Sequence, residues 1–247
     1  MEIRTSRFEL RTEDGSMPVF RAEPQEGGRW PAVVVLMEAF GLNRHIESVA
    51  ERLAREGYVT AAPDLYYREE TRSAGYDQLD RALALMGTLD DEKVVRDLEA
   101  LVSSLAGDPK VDGDRIGVTG FCMGGRIAFL VACRDSRIRA AVPFYGGGIT
   151  ASRSGTGKAP LDYAPELRSP MLLFFGGRDP FIPLDEVERI RARLSELGKD
   201  AEVVVYPDAP HGFFCDDRNT YRPDAAADAW RRMLEFFAKH LGARPGG

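Results

Sequence analysis

From Ala32 to Met37 the chain runs Ala-Val-Val-Val-Leu-Met, apolar at every position and β-branched at its centre. A strand with one wet face alternates in polarity. A strand without alternation is buried on both faces, as happens in a sheet covered by helices on each side. The rest of the chain supplies those helices. Ile46, Val49, Ala50, Leu53 and Ala54 recur at helical spacing over 46–55, before Gly57. "YVTAAPDLY" is the next strand, and 77–87 and 90–106 are helices, the second carrying Val94, Val95, Leu98, Leu101, Val102 and Leu105. Strand 115–119 leads into helix "MGGRIAFLVAC". Strands 139–144, 171–175 and 202–206, a helix over 185–197 and an amphipathic helix over about 223–241 complete the series. Near the N-terminus, 8–10 and 17–21 flank "EDGS" and predict an antiparallel hairpin. Strands alternating with helices build βαβ units and a mostly parallel sheet of about eight strands with helices on both faces. No linker, charge block or repeat divides the chain, so 1–247 is expected to be a single α/β domain.

Composition narrows the partners. Of 247 residues, 44% are hydrophobic and 29% charged, with a formal net charge of −6. That balance suits a globular protein and disfavours nucleic acid, which selects a basic face. The three cysteines, Cys122, Cys133 and Cys215, form neither a disulfide framework nor a Cys/His metal pattern, so no metal is expected. The N-terminal segment has no apolar signal core, and no apolar run is long enough to cross a bilayer. A cytoplasmic monomer without a membrane partner is the expectation. Two nucleotide motifs fail. In "SGTGKA", Lys158 is followed by Ala159, and Ser152 stands where a P-loop needs its first glycine; no G-x-G-x-x-G follows a strand.

Directly after strand 115–119 comes Gly120-Phe-Cys-Met-Gly124. This is the frame of G-x-S-x-G, the tight strand-to-helix turn that presents a nucleophile, with cysteine at its centre. Gly120, Gly124 and Gly125 give the backbone room. Cys122 would sit at a helix N-terminus, where the dipole favours thiolate, and the Met123 amide becomes half of an oxyanion hole. Taken alone, the pentapeptide is equally compatible with a buried core thiol. Its partners decide. In this architecture the acid and the histidine follow the nucleophile in that order. Asp179 lies in "GGRDPFIP", past strand 171–175, and His211 in "PDAPHGFF", past strand 202–206. His45 opens an early helix, and His240 ends the last one, where a cation complements the dipole. Cys122 would attack a carbonyl carbon, His211 move the proton, and Asp179 orient the imidazole.

With these residues in place the chain resembles the dienelactone hydrolases (carboxymethylenebutenolidases) of the α/β-hydrolase superfamily over about 30–240. The resemblance rests on "GFCMGGRIAFLVA", "GGRDPFIP", "PHGF", "PDLYYR" and "AAADAWRRMLEFFAKHL". It implies the α/β-hydrolase fold and hydrolysis of a small carboxylic ester or lactone, with dienelactone opening to maleylacetate as the named reaction and no cofactor. It assigns Glu38, in "MEAFGLN", to contact the resting cysteine and be displaced as the thiolate forms; otherwise Glu38 is a solvent-facing strand end. It makes the Ala39 amide the second oxyanion donor and Arg68, in "DLYYR", a contact for a substrate carboxylate. The family's second basic contact, expected shortly after the histidine, is missing: Gly212, Phe213, Phe214 and Cys215 follow His211, with no arginine before Arg218. Phe213 belongs to this Phe-rich version of the loop and is assigned to the pocket. Tyr145 would wall the pocket or serve as a core aromatic. Cys215 would line the pocket or pack in the core, and Cys133, Trp30 and Trp230 are packing residues. Two alternatives remain: a broad carboxylesterase, and a non-catalytic ligand receptor with Cys122 as a redox-sensing thiol. A missing acid or histidine would favour the receptor, and neither is missing.

Overall fold

The computed structural model describes residues 1–153, 155 and 157–242. One eight-stranded sheet organises them. Its strands are β1 (Ile3–Thr12), β2 (Gly15–Pro24), β3 (Trp30–Leu36), β4 (Val59–Pro63), β5 (Val111–Phe121), β6 (Ile138–Phe144), β7 (Met171–Gly176) and β8 (Ala201–Tyr206), in spatial order 1-2-4-3-5-6-7-8. Strands β3 to β8 pair in parallel, while β2 runs antiparallel to both β1 and β4. Every residue of β3, β4 and β7 is buried, as an unbroken apolar run requires.

The N-terminal hairpin is longer than its sequence suggests. The strands pair from Ile3↔Pro24 to Thr12↔Gly15. At the sheet edge Arg4–Arg7 are exposed without a break, and only Phe8, Leu10 and Thr12 alternate toward the core. The backbone ladder and the Arg4–Glu23 and Arg7–Glu47 ion pairs hold the outer half.

Six α-helices join or flank the strands: α1 (Arg44–Arg55), α2 (Leu79–Gly87), α3 (Asp91–Ala106), α4 (Met123–Arg134), α5 (Leu184–Glu196) and α6 (Pro223–Leu241). Local chemistry sets several ends. The Asn43 side chain accepts from the Ile46 amide at 3.2 Å, and Asp90 accepts from Lys93 at 3.0 Å, each satisfying a first-turn donor. A 3₁₀ segment, Pro160–Glu166, follows the glycine-rich loop that leaves β6 at Gly146–Gly148. Positions 154 and 156 of the "SGTGKA" segment lie outside the described residues. Among the described residues no helix is long and apolar enough to cross a membrane.

Topology locates the site. The β3–α1–β4 crossover moves across the sheet in one direction, and β5–α4–β6 moves in the other. Right-handed crossovers therefore put α1 and α4 on opposite faces, and a crevice opens where β3 and β5 end side by side. Glu38 and Ala39 leave β3 there, and Cys122 leaves β5.

Candidate active site

Cys122 joins β5 to α4 with φ 56 and ψ −117, a left-handed φ that an L side chain rarely adopts. Its surroundings over-determine that conformation. The Cys122 amide donates to Phe144 O at 3.0 Å, and its carbonyl accepts from Gly125 at 2.9 Å and Arg126 at 3.2 Å. The first turn of α4 rests directly on the end of β3: a Cβ on Gly124 would lie 2.5 Å from Leu36 O. Raised on this turn, Cys122 is partly exposed and lines a cavity of about 340 Å³.

His211 and Asp179 reach the same place. Nδ1 of His211 lies 2.7 Å from Oδ2 of Asp179. The other carboxylate oxygen accepts from the amides of Phe181 (2.8 Å) and Ile182 (3.2 Å), fixing the acid from behind. A carboxylate can only accept, so Nδ1 carries the proton and Nε2 is left for the hydrogen bond between His211 and Cys122. Burial opposes charge on this imidazole. The Cys122 sulfur and the Asp179 carboxylate outweigh it and push His211 up to about 10. The three side chains form one hydrogen-bonded series: a thiol at a helix N-terminus, an imidazole and a buried carboxylate.

Ala39 and Met123 line the cavity on either side of the thiol. The Tyr66 hydroxyl donates to Ala39 O at 2.9 Å and sits 3.4 Å from the Met123 sulfur. It ties the two backbone segments together, a link that "PDLYYR" did not reveal.

Glu38 is fully buried. Its Oε2 accepts from the Tyr76 hydroxyl at 3.0 Å and its Oε1 faces Nη1 of Arg218 at 3.4 Å. These bonds run to Tyr76 and Arg218, and not to the thiol that the resemblance names. Arg218 thus reaches the cavity although six residues separate it from His211. The loop curls back through Cys215 N–H to Gly212 O and Arg218 N–H to Cys215 O. Gly212, at φ +74, lets the guanidinium pack flat on the backbone, where any Cβ would collide with it.

Two sequence assignments, Arg68 and Phe213, are corrected, and of the two readings of Tyr145 the structure takes the core aromatic. Arg68 does not line the cavity: its guanidinium grips Asp97 at 2.8 and 3.0 Å and Asp14 at 3.0 Å. Asp97 is a buried carboxylate on α3 and takes this cation as its partner. Tyr145 is wholly buried beneath the site, at φ 37, with its ring 5.1 Å from that of His211. Phe213 is wholly buried against Tyr145 and Tyr206, so it supports the histidine loop from below and does not face substrate. Cys215 is buried too, donating to the Tyr76 hydroxyl at 3.2 Å; burial, then the Glu38 charge, push its thiol up to about 12.

The sequence reading missed a pair of arginines. Arg126, on α4, holds Asp91 through two bonds of 2.7 and 2.9 Å. Arg153, on the glycine-rich loop, shares the same carboxylate at 3.2 Å and donates to Met86 O at 2.8 Å. Both line the cavity. One acid serves two guanidiniums, and burial followed by Arg126 lowers the pKa of Arg153. The cavity wall therefore carries a surplus positive charge. A lone arginine within apolar "MGGRIAFLVAC" was the available signal, since a buried charge needs a partner.

Glu38, His45 and Cys215 offer ligand atoms within 4.8 Å of one another. Tyr76 already bridges Glu38 and Cys215, and Arg218 faces the remaining carboxylate oxygen. Glu38 and Cys215 are thus already engaged by neighbours, whereas Nε2 of His45 is buried without a hydrogen-bond partner among the described residues.

Comparisons with known proteins show the fold and the family. The model described as "Dienelactone hydrolase family" matches residues 17–241. A Methylorubrum extorquens protein named "Putative carboxymethylenebutenolidase" is 37% identical over 228 residues, covering 92% of this chain and 78% of its own. A Bradyrhizobium protein named "Probable 2-oxo-3-(5-oxofuran-2-ylidene)propanoate lactonase" is 34% identical over 94% of this chain and 93% of its own. The crystal structure of a "Putative Dienelactone Hydrolase" from Klebsiella pneumoniae superposes with a TM-score of 0.91 at 36% identity, over 97% of this chain and 100% of that one. With its α/β-hydrolase sheet and its matched motifs, the chain belongs to the dienelactone hydrolase family of ester-bond hydrolases.

Proposed function

We propose that this chain hydrolyses a small carboxylic ester or lactone through a thioester on Cys122, with His211 as proton carrier and Asp179 as its orienting acid. The observation that carries the proposal is the hydrogen-bonded series Cys122–His211–Asp179 opening onto a cavity. The Cys122 sulfur attacks the carbonyl carbon, and the Met123 and Ala39 amides receive the developing oxyanion. The C–O bond then breaks, and the departing oxygen takes the proton from His211. In a lactone that oxygen stays tethered to the acyl chain. Water, deprotonated by His211, attacks the thioester and releases the thiolate. Thiol and imidazole together supply nucleophile and proton transfer, so the scheme calls on no cofactor or metal.

Opening of dienelactone to maleylacetate is the named reaction. The Methylorubrum relative's name supports it, and the Bradyrhizobium relative's name describes a different lactone that also bears a carboxylate. The anion contact first assigned to Arg68 passes to Arg153, with Arg218 also lining the cavity. The second reading is a broad carboxylesterase, favoured by the largely apolar remainder of the lining. In either case residues 1–247 act as one cytoplasmic monomeric domain on a small molecule, without nucleic acid or membrane.

The test is hydrolysis of cis- and trans-dienelactone beside a neutral aryl acetate, by wild type and Cys122→Ala. Dienelactone opening that vanishes in the variant supports the named reaction. Turnover of the aryl ester alone moves the substrate to the second reading. Undiminished activity in Cys122→Ala removes the thioester.

A further inference from the structure

Among the described residues, five large apolar side chains stand exposed: Met1, Leu79, Leu83, Phe181 and Leu184. Three of them, Leu79 (44% exposed), Leu83 (46%) and Phe181 (58%), line the one cavity that contains Cys122. That concentration is unusual, because scattered apolar residues are normal on a surface whereas clustered ones mark a binding site.

Helix α2 shows how the cluster is built. Ala82 and Leu85 are its buried residues and face the core. Leu79, Leu83 and Met86, spaced by four and three, form a second apolar stripe, and all three line the cavity. Phe181 adds an aromatic face, its ring 5.2 Å from that of His211. The cavity is graded as well. Arg126 is only 5% exposed and Met86 is half-buried, whereas Leu79, Leu83 and Phe181 are about half exposed, so charge lies within and apolar surface at the lip. At about 340 Å³ the space equals that of roughly eleven waters at ~30 Å³ each. A compact lactone held between Cys122 and Arg153 would leave the stripe wet.

We propose that the α2 stripe and Phe181 form a subsite for an extended apolar arm, alkyl or aryl, on the ester substrate. The proposal rests on Cys122 being the ester-cleaving nucleophile and goes further by assigning the substrate class. Continuity of the stripe with the cavity at the thiol favours a substrate's own arm over a second copy of the chain or a lipid surface, either of which would cover the lip and obstruct entry.

The experiment measures kcat/KM for two series: 4-nitrophenyl esters from acetate to octanoate, and acetates of straight-chain alcohols of increasing length. In at least one series kcat/KM should rise up to about four-fold per added methylene over the first additions. Leu79→Ser and Leu83→Ser, at exposed positions that fold without these side chains, should flatten that rise. Calorimetry with uncleaved 4-nitrophenyl octanoate and acetate on Cys122→Ala gives the same comparison without turnover, with octanoate binding more tightly. If the acetate is cleaved through Cys122 but both series are flat, the apolar subsite is overturned and the thioester mechanism survives. A rise untouched by both leucine variants also overturns it, as does dimerisation or binding to phosphatidylcholine vesicles that the leucine variants abolish while the series stay flat. If wild type cleaves no ester and Cys122→Ala binds the two esters equally, both proposals fall.

Discussion

Nη1 of Arg218 lies 3.4 Å from Oε1 of Glu38, joining the end of the first buried strand to the loop after His211 across 180 residues. The carboxylate is fully buried and the arginine side chain only 16% exposed, so removing the cation strands a charge away from water. Arg218→Gln should cost roughly 2–3 kcal/mol. In a chain of this size that lowers Tm by about 4–12 °C. The double variant Glu38→Gln/Arg218→Gln should recover part of the loss, because a neutral amide no longer needs the cation. A single-variant Tm within about 1 °C of wild type would show that the pair is not coupled.

Arg153 shares Asp91 with Arg126, leaving a surplus cation at the cavity wall. If it receives the substrate anion, Arg153→Ala should raise KM for an anionic lactone roughly 10–100-fold more than for a neutral aryl acetate, the worth of a hydrogen bond to a charged group. Steady-state kinetics on the two substrates measure the ratio. Equal increases would place the anion elsewhere.

His211 titrates at about 10 in the fold against 6.5 ordinarily, so the folded state binds this proton more tightly than the unfolded chain. The resulting stability is fully present below pH 6.5 and is lost as pH rises through about 10. The Tm difference between wild type and His211→Gln should therefore shift steadily against wild type from pH 6 to pH 10, whatever its offset. A difference constant across that range would mean that His211 is not held protonated by its neighbours.

Gly124 leaves no space for a side chain, since the colliding atom is the backbone oxygen of Leu36 in the central strand. Gly124→Ala must push α4 away from β3. Overpacking of this kind costs about 1–3 kcal/mol, and thermal unfolding should show it as a fall in Tm of roughly 2–12 °C. Because α4 carries Cys122, hydrolysis should fall with it. An unchanged Tm would mean that the elbow is looser than its geometry indicates.

What the sequence revealed follows from how each element is held. Strand β3 is buried on both faces, and that burial is written in its unbroken apolar run. The helix over about 223–241 matched Pro223–Leu241 because one amphipathic stripe sets its whole length. Cys122, Asp179 and His211 were legible because chain order and loop position identify them without tertiary detail. Arg68 was not, because it sits in a turn after β4 and its competing partner Asp97 lies 29 residues away on α3. Arg153 escaped notice for the same reason: Asp91 is 62 residues away, and only the folded chain shows that Arg126 uses it too. Phe213 and Tyr145 carry the composition of a pocket wall, but local pattern does not say which side of a loop faces the cavity. In strand β1 only 8–10 could be read, because the exposed Arg4–Arg7 stretch has no alternation.

The account turns on a covalent bond to one sulfur. The most direct measurement is mass-spectrometric peptide mapping after rapid acid quench of wild type mixed with 4-nitrophenyl acetate. An acetyl group on the peptide containing Cys122, appearing within the first turnover and decaying as free acetate is released, is the predicted result. A bare Cys122 throughout turnover, or an acetyl group that accumulates only on Cys133 or Cys215, would contradict it.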